Sequence, residues 1–509
     1  MKSIFIIILC AAMFSAFAQN PEDALRYSYT IQNGTARNQA IGGAGASLGG
    51  EFSSLFINPA GLGFYKTNEF VLTPGINFQK NKSTYRSVLS EKDKSNFNFG
   101  ASGILLSLPY YPDKAVRNLT FAFGINQSAN FNSSVYYKGL NNTSSYSERY
   151  LEELNNNHVT DPNRAANDYP FGSSLALNTY LVDTVNQSAG GSARFKTLAP
   201  IATGLIQENT LLTHGAITDL AFGGAANLRD KLFFGGTISV PLLNYTRESH
   251  YKESDATNNT HNNFNFFQVN ETLITSGTGI NAKVGLIYKP VEYVRLGLSI
   301  FSPTYYQLTD KYTTEIVTDL ENYGGAGIKT QSSNQFTNNL PGESKYTLTT
   351  PWRVSGSASY VFREVENVKR QRAFLTADIE YVNYRSASFK AADGNADSKS
   401  YFSDINALIK SQYKGALNVR LGGELKFNTL MFRLGGAYYG NPYKDEKSDK
   451  VKFSGGLGYR DKGAFIDLTY VYSKTKDVNY PYRLETKPNE AAVLANNGGN
   501  VLLTVGFKF

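Results

Sequence analysis

The chain has 509 residues, with 45 glycines, 34 tyrosines and 33 phenylalanines but one tryptophan, and its mean hydropathy is -0.32. Beyond residue 18 it contains no apolar run long enough for a membrane-spanning helix, which excludes a helical membrane protein. The formal net charge of +8 is small for this length and is spread along the chain, so no nucleic-acid partner is expected. A chain rich in tyrosine and phenylalanine but with negative mean hydropathy is expected when strands alternate apolar and polar residues.

The first 18 residues resemble a secretory signal peptide. Lys2 supplies the positive start, residues 4–13 are apolar, and residues 16–18 form an Ala-Phe-Ala cleavage site. We therefore expect the mature chain to begin at Gln19. Cys10, the only cysteine of the sequence, lies inside this signal and follows large apolar residues, so neither a disulfide nor a lipid anchor is expected.

A glycine-rich segment follows the signal. From Gly42 to Tyr65 it reads GGAGASLGGEFSSLFINPAGLGFY. Its start resembles a dinucleotide fingerprint, but no apolar strand precedes it and no βαβ unit follows, which argues against a nucleotide site. A flexible linker is the plain alternative, whereas the interleaved Phe52, Leu55 and Leu62 favour a packed segment.

Period-two alternation dominates the rest of the chain. In residues 418–427, for example, Val419, Leu421 and Leu425 alternate with Arg420 and Glu424, so one face suits lipid and the other suits water. Such patterns predict about fourteen membrane-crossing strands, near 69–80, 96–109, 117–137, 214–228, 231–249, 264–288, 292–308, 346–363, 372–388, 412–427, 429–440, 450–460, 463–474 and 497–509.

The predicted connections fall into two classes. Short turns occur at 229–231, 428 and 461–462, and the long polar excursions lie at 138–213, 309–345, 389–411 and 475–496. An even number of strands places both termini on the side of the short turns, which we expect to be periplasmic, with the long loops outside the cell.

The last strand places apolar side chains on one face up to the terminal residue. Val501, Leu503, Val505, Phe507 and Phe509 alternate with polar or small residues. This ending resembles the C-terminal signal by which the outer-membrane insertion machinery recognises its substrates. An ordinary closing strand that happens to end in phenylalanine is the alternative.

Taken together, the glycine-rich segment, its Asn58-Pro59-Ala60 motif and the predicted barrel resemble the FadL/TodX family, whose members are outer-membrane channels for long-chain fatty acids and other hydrophobic compounds. The resemblance implies an all-β fold, a transmembrane antiparallel β-barrel over residues 68–509 with a hatch of residues 19–67 in its lumen. It also implies a place in a Gram-negative-type outer membrane. The implied partners are a hydrophobic or lipid ligand, outer-membrane lipid and, during biogenesis, the barrel-insertion machinery.

Within the barrel, the alternation places several basic side chains in the lumen. Lys283, Arg353 and Arg420 lie in the middle of strands and are the candidate ligand contacts, because a basic group in a partly apolar cavity binds a carboxylate. The alternative is that these charges pair with lumenal carboxylates or with the hatch backbone.

A side exit for apolar cargo, which the family is thought to form at a kinked strand, has one candidate position. Gly124 and Asn126 interrupt the apolar stripe of the third strand, and such residues mark bulges or gaps in pairing. Alternatively, the strand simply leaves the membrane at Asn126.

Catalysis, a metal site and a cofactor are not expected. The four histidines, His158, His214, His250 and His261, lack metal-ligand spacing, and the residues around Ser102 lack the pattern of a nucleophile elbow.

Two non-enzymatic functions remain. The first is uptake of hydrophobic small molecules by capture at the extracellular loops and passage past a movable hatch. The second is a structural or shuttle component of a protein secretion or assembly system.

Overall fold

The fold was determined as a computed structural model, which describes residues 20–185, 194–257, 259–325, 327–362, 372–445, 448 and 450–509. The predicted signal, residues 1–18, lies outside these ranges.

The described residues form seven α-helices, five short 3-10 helices and twenty-three strand segments. The helices are α1 Pro21–Ser28, α2 Ala36–Ala40, α3 Ser54–Ile57, α4 Glu148–Asn156, α5 Pro162–Asp168, α6 Ser173–Asn178 and α7 Ala396–Gln412. The 3-10 helices are Pro59–Phe64, Ile201–Thr203, Tyr323–Gly325, Ser333–Phe336 and Tyr384–Ser386. No helix in these ranges is both long enough and apolar enough to cross a membrane.

The strand segments are β1 Glu69–Leu72, β2 Pro74–Tyr85, β3 Val88–Phe99, β4 Ser102–Ser107, β5 Val116–Asn130, β6 Ser133–Asn141, β7 Val182–Thr184, β8 Phe195–Thr197, β9 Leu205–Leu228, β10 Leu232–Asp255, β11 Phe266–Val291, β12 Val294–Phe301, β13 Tyr305–Asp319, β14 Lys329–Ser332, β15 Gly342–Thr349, β16 Arg353–Phe362, β17 Ala373–Asn383, β18 Ser388–Ala391, β19 Gly415–Phe427, β20 Leu430–Tyr439, β21 Lys450–Asp461, β22 Ala464–Asn479 and β23 Ala492–Lys508.

Twenty of these segments form fourteen antiparallel strands of a closed barrel within the described part of the chain. Six strands are broken into two segments, namely β1–β2, β3–β4, β5–β6, β12–β13, β15–β16 and β17–β18. The first and last strands close the barrel, since β1 and β2 both pair with β23, as in Phe70↔Phe507 and Ile76↔Val501. The predicted fold class, an antiparallel barrel with an N-terminal segment inside it, is confirmed.

The outer face of the barrel is apolar only in a central band. On β10 the outward residues run from Phe234 through Ile238 and Val240, all exposed, and become polar at Asn244 and beyond. The strand nevertheless continues to Asp255. The alternation disappears where the outward residues become polar, so the sequence pattern alone cannot follow the strand beyond that point.

This explains where the predicted loops differ from the structure. The polar segments 138–141 and 205–213 are strand rather than loop, and so are 309–319 and 475–479. In place of one long excursion, residues 142–204 carry α4, α5, α6 and the hairpin β7–β8. These pack as a cap on the loop end of the barrel around Tyr146, Leu154 and Leu175.

Candidate functional site

Residues 20–66 lie inside the barrel as a packed hatch. Phe52, Leu55 and Leu62 are buried against Ala122 and Ala221 of the wall, so the segment is not a solvated linker. Its contacts spread around the lumen: α2 lies against β20 to β23, and the 3-10 helix Pro59–Phe64 lies against β9, β10 and β11.

The Asn58-Pro59-Ala60 motif fixes one side of this hatch. The side-chain amide of Asn58 donates to the carbonyls of Ala46, at 2.6 Å, and of Leu286, at 3.3 Å, while its oxygen accepts from the backbone N–H of Ala60. The wall here is formed by the paired glycines Gly235 and Gly285. A β-carbon at Gly235 would lie 2.6 Å from Pro59, so only glycine permits the motif to approach this closely.

Buried charges fix the other side. Arg37 of α2 donates to Glu424 at 3.1 Å, and Glu424 also accepts from Arg433 at 2.6 Å. Arg433 in turn binds Asp467 at 2.6 Å. Nearby, the hydroxyls of Ser47 in the hatch and Ser359 in β16 are in direct hydrogen-bond contact. The hatch is therefore held by polar contacts to inward wall residues on several strands.

The wall of the barrel is interrupted beside the hatch. β4 pairs with β5 only from Ser107↔Thr120 to Ser102↔Ile125. Beyond that point β3 pairs with β2, and β6 pairs with β9, so within the described ranges the facing edges of β3 and β5 share no strand pairing. We call this gap between Phe99 and Gln127 the wall break. Phe97 and Phe123, both exposed, lie on the outer face beside it, so it opens within the apolar band.

The side chain of the hatch residue Asn33 crosses the wall break. The amide of Asn33 donates to the carbonyl of Phe99 at 3.0 Å and to that of Gln127 at 2.9 Å. It thereby binds one carbonyl on each of the two strand edges that lack a strand partner. Position 34 lies equally close to the wall, since a β-carbon at Gly100 would collide with the carbonyl of Gly34.

The two predicted exit residues lie next to this break. Asn126 is the first residue of β5 beyond the last β4 pair; its side chain is buried and donates to the carbonyl of Asn33 at 3.4 Å. Gly124 is paired on both sides, with Gly103 and with Ala221, and packs against Phe52. The wall itself is thus continuous at Gly124 and interrupted from Asn126 onward.

A cavity of about 330 Å³ lies between the hatch and the wall at this break. We call it the hatch cavity. Ten of its lining residues are asparagine or glutamine, namely Gln32, Asn33, Gln39, Asn77, Gln79, Asn98, Gln127, Asn130, Asn496 and Asn500. No aspartate or glutamate lines it in the described part of the chain. The cavity is therefore rich in amides, although Ile31, Phe131 and Val471 make part of its lining apolar.

Three basic residues line the hatch cavity: Arg26, Lys450 and Lys452. Arg26 forms an ion pair with Asp23 of its own helix. Lys452 lies 5.7 Å from the ring centre of Tyr439, and neither lysine has a side-chain hydrogen bond or ion pair to another described residue. The positive charge of the cavity thus comes mainly from the two lysines of β21.

The predicted ligand contacts Lys283, Arg353 and Arg420 face the lumen but do not line the hatch cavity. Lys283 is 4% exposed and donates to Ser239 at 2.9 Å. Arg353 binds the hydroxyl of Thr30 in the hatch, and Arg420 forms an ion pair with Glu380 at 2.8 Å. In this arrangement Arg353 contacts the hatch and Arg420 pairs with a wall carboxylate, which are the contacts of the alternative interpretation, whereas Lys283 bonds to a wall hydroxyl.

A second cavity, of about 480 Å³, lies on the loop side of the first. We call it the upper cavity. It shares Arg26, Tyr29, Phe131 and Lys450 with the hatch cavity, and its lining adds aromatic rings such as Tyr245. The two cavities therefore adjoin, the upper one on the loop side and the hatch cavity at the hatch and the wall break.

Three residues of this site were missed from the sequence. Lys450 and Lys452 occupy alternate positions of a predicted strand on the same face as Ser454, so the period-two rule would have assigned them to the lumen. Asn33 had no comparable signal. Its role depends on which strand edges lack a partner, and hydrophobic periodicity does not report this.

Solved structures with a similar fold are known. No protein-family profile and no curated protein sequence matches the chain. Among solved structures, a Pseudomonas aeruginosa FadL homologue is similar over 95% of this chain and 100% of its own, with 12% identity and a TM-score of 0.56. The Pseudomonas putida toluene transporter TodX is similar over 94% of this chain and 99% of its own, with 14% identity and a TM-score of 0.51. The chain therefore has the barrel-and-hatch fold of the FadL/TodX family, as the glycine-rich segment and its Asn58-Pro59-Ala60 motif predicted.

Proposed function

We propose that this chain is an outer-membrane channel that takes up hydrophobic small molecules such as long-chain fatty acids. The observation that carries the proposal is the wall break, which opens within the apolar band and is crossed by the hatch residue Asn33. A compound that enters from the loop end would pass the upper cavity and reach the hatch cavity. It would then leave sideways into lipid once Asn33 releases the two strand edges. The role involves no catalysis.

The fold supports this proposal, since one protein of the same fold is a toluene transporter. The apolar band supports the place in an outer membrane, because lipid requires apolar outward side chains on every strand that crosses it. The carboxylate of a fatty acid would find Lys450 and Lys452 at the hatch cavity, where a charge-assisted hydrogen bond holds it.

The first test is uptake into vesicles. We expect vesicles that contain the purified protein to take up labelled oleate faster than protein-free vesicles. Equal rates would refute the transport function and would favour a shuttle or structural role in protein secretion or assembly.

A second test asks whether the hatch must move. Ser47→Cys together with Ser359→Cys places two thiols where two hydroxyls now touch, and the only native cysteine, Cys10, lies in the predicted signal. Under oxidising conditions the bridge should hold the hatch and stop oleate uptake, and a reducing agent should restore it. The single variants Ser47→Cys and Ser359→Cys are the matched controls. Uptake that persists in the oxidised double variant would show that passage needs no hatch movement.

A further inference from the structure

Two lysines of the hatch cavity, Lys450 and Lys452, form no ion pair with a side chain in the described part of the chain. Lys450 and Lys452 both point inward from β21, two positions apart, which places their α-carbons about 7 Å from each other. No carboxylate among the described residues lines the cavity. Two ammonium groups so close together disfavour each other unless an anion lies between them, so the cavity is suited to a ligand with an anionic group.

The unpaired amide groups of the cavity place a second requirement on the chemistry of the ligand. Two buried donors, Nε2 of Gln32 and Nδ2 of Asn130, have no hydrogen-bond partner in the described part of the chain. Two buried acceptors, Oε1 of Gln79 and Oδ1 of Asn98, have none either, and Asn98 is 5% exposed. A carboxylate alone only accepts hydrogen bonds and would leave both acceptors unsatisfied. A hydroxyl both donates and accepts, so hydroxyl groups match the whole set.

The size and position of the cavity fix the remaining part of the ligand. At about 330 Å³ it has room for one small polar group but lies at the lower end of the usual range for small-molecule sites, roughly 300–1,000 Å³. Its wall includes Asn98 and Gln127, which lie on the two sides of the wall break. An apolar chain attached to the polar group can therefore extend through the break toward Phe97 and Phe123 in the apolar band.

We propose that the hatch cavity binds the head group of an anionic, hydroxyl-bearing amphiphile, such as a lipid with a sugar-acid or sugar-phosphate head. Lys450 and Lys452 bind the anionic group, the amides of Gln32, Gln79, Asn98 and Asn130 bind the hydroxyls, and the wall break receives the apolar tail. The inference rests on the proposed transport function and names its ligand class: an amphiphile whose head carries both a negative charge and hydroxyl groups, rather than a simple fatty acid.

Four probes separate the contributions to binding: dodecyl glucuronide, with charge, hydroxyls and tail; dodecyl glucoside, without the charge; dodecanoate, without the hydroxyls; and free glucuronate, without the tail. Binding is measured by calorimetry on the full-length barrel in a zwitterionic detergent that carries no hydroxyl groups. We expect dodecyl glucuronide to bind roughly tenfold more tightly than each of the other three, since each lacks one set of contacts. Equal affinity for dodecanoate would overturn the role of the hydroxyls, and equal affinity for free glucuronate would show a site for a soluble sugar acid instead of an amphiphile.

Substitutions in the hatch cavity test which residues bind each part of the ligand. Lys450→Gln with Lys452→Gln should lower the affinity for dodecyl glucuronide to that for dodecyl glucoside, whereas Lys450→Arg with Lys452→Arg should retain most of it. Gln79→Leu should weaken both glycosides but leave dodecanoate unchanged, and Lys462→Gln, at the turn between β21 and β22, is the matched control. Unchanged glucuronide binding in the double glutamine variant would overturn the proposal.

The two proposals fail in different ways. If oleate is taken up normally but dodecyl glucuronide binds no better than dodecanoate, this inference fails and the transport function stands. If dodecyl glucuronide binds as expected but no probe crosses the vesicle membrane, the cavity is a lipid-binding site and the transport function fails.

Discussion

The side chain of Asn58 occupies the space that a β-carbon at residue 285 would need, and residue 285 is glycine. A β-carbon at its cross-strand partner, Gly235, would likewise collide with the backbone of Pro59. Two residues of the hatch motif therefore dock on two paired glycines of β10 and β11. The motif is half of a contact whose other half lies more than 170 residues further along the chain.

The first prediction concerns this contact. Gly285→Ala should push Asn58 off the wall and disturb its bonds to Ala46 and Leu286. Overpacking of this kind costs about 1–3 kcal/mol. We expect a lower thermal unfolding temperature and a larger ion conductance in planar bilayers, because the hatch no longer seals against β11.

The matched control for this prediction is Gly356→Ala. Gly356 is also a strand glycine, but a β-carbon there would meet no neighbouring atom within 4 Å. Its conductance and unfolding temperature should equal those of the unmodified protein. Equal behaviour of the two alanine variants would show that the motif does not depend on the glycine pair.

The second prediction concerns the residue that crosses the wall break. Asn33→Ala removes the donor to the carbonyls of Phe99 and Gln127. Two hydrogen bonds stabilise the closed state by about 1–3 kcal/mol, since each contributes roughly 0.5–1.5 kcal/mol. We expect amide hydrogen exchange in residues 97–101 and 126–131 to become roughly tenfold faster, because the strand edges open more often.

Asn163→Ala, at an exposed position of α5 in the cap, serves as the control for that experiment and should leave exchange at the break unchanged. If the Asn33→Ala variant exchanges at the original rate, the break is held by the wall itself rather than by the hatch.

The third prediction concerns the buried charges. Glu424→Gln leaves Arg37 and Arg433 facing a neutral amide in a buried site. Removing one partner of a buried ion pair destabilises a protein by about 3–5 kcal/mol. We expect a correspondingly lower free energy of unfolding in urea.

Glu343→Gln provides the comparison for the buried network. Glu343 contacts Lys345 at 2.9 Å, but its side chain is 41% exposed, so its loss should change the free energy of unfolding by less than about 1 kcal/mol. Similar losses in the two variants would mean that the network around Glu424 does not anchor the hatch.

The sequence predicted the barrel well where lipid imposes a pattern. Val419, Leu421 and Leu425 are exposed on the outer face, and Arg420 and Glu424 are buried inside, as their alternation indicated. Lipid accepts only apolar outward side chains, so each crossing leaves a periodic record in the sequence. Beyond the apolar band the alternation of apolar and polar residues ends, which is why β10 was predicted to end before Asp255.

The candidate site was harder to predict because it depends on pairing rather than on periodicity. The three residues at the break, Asn33, Phe99 and Gln127, are far apart in sequence, and their contact exists because β3 and β5 do not pair. The charge of the hatch cavity could have been inferred, since Lys450 and Lys452 share the lumenal face of one strand. A lumenal charge can pair with a carboxylate, as Arg420 does, or it can line a cavity. Which of the two occurs depends on the three-dimensional arrangement of the neighbouring strands.

The last prediction concerns pH and the cap. Glu253 lies on β10 well beyond the apolar band, and it is fully buried beneath the cap. It accepts from the backbone N–H of Tyr146 at 2.8 Å, from Gln207 at 2.8 Å and from the hydroxyl of Tyr251 at 2.6 Å. Burial raises the pKa of its carboxyl from 4.5 to about 7, although these hydrogen bonds partly oppose the shift.

Because the pKa of Glu253 is higher in the folded protein than in the unfolded chain, the folded state binds more protons between the two values. The stability of the cap should therefore fall as pH rises from about 4.5 to about 7 and then level off, by on the order of 3 kcal/mol in total. Hydrogen exchange of residues 144–154, measured across this range, should accelerate with pH beyond the intrinsic exchange rate. Glu253→Gln, which cannot ionise, should abolish that extra acceleration. An equal pH dependence in both proteins would show that another group controls the cap.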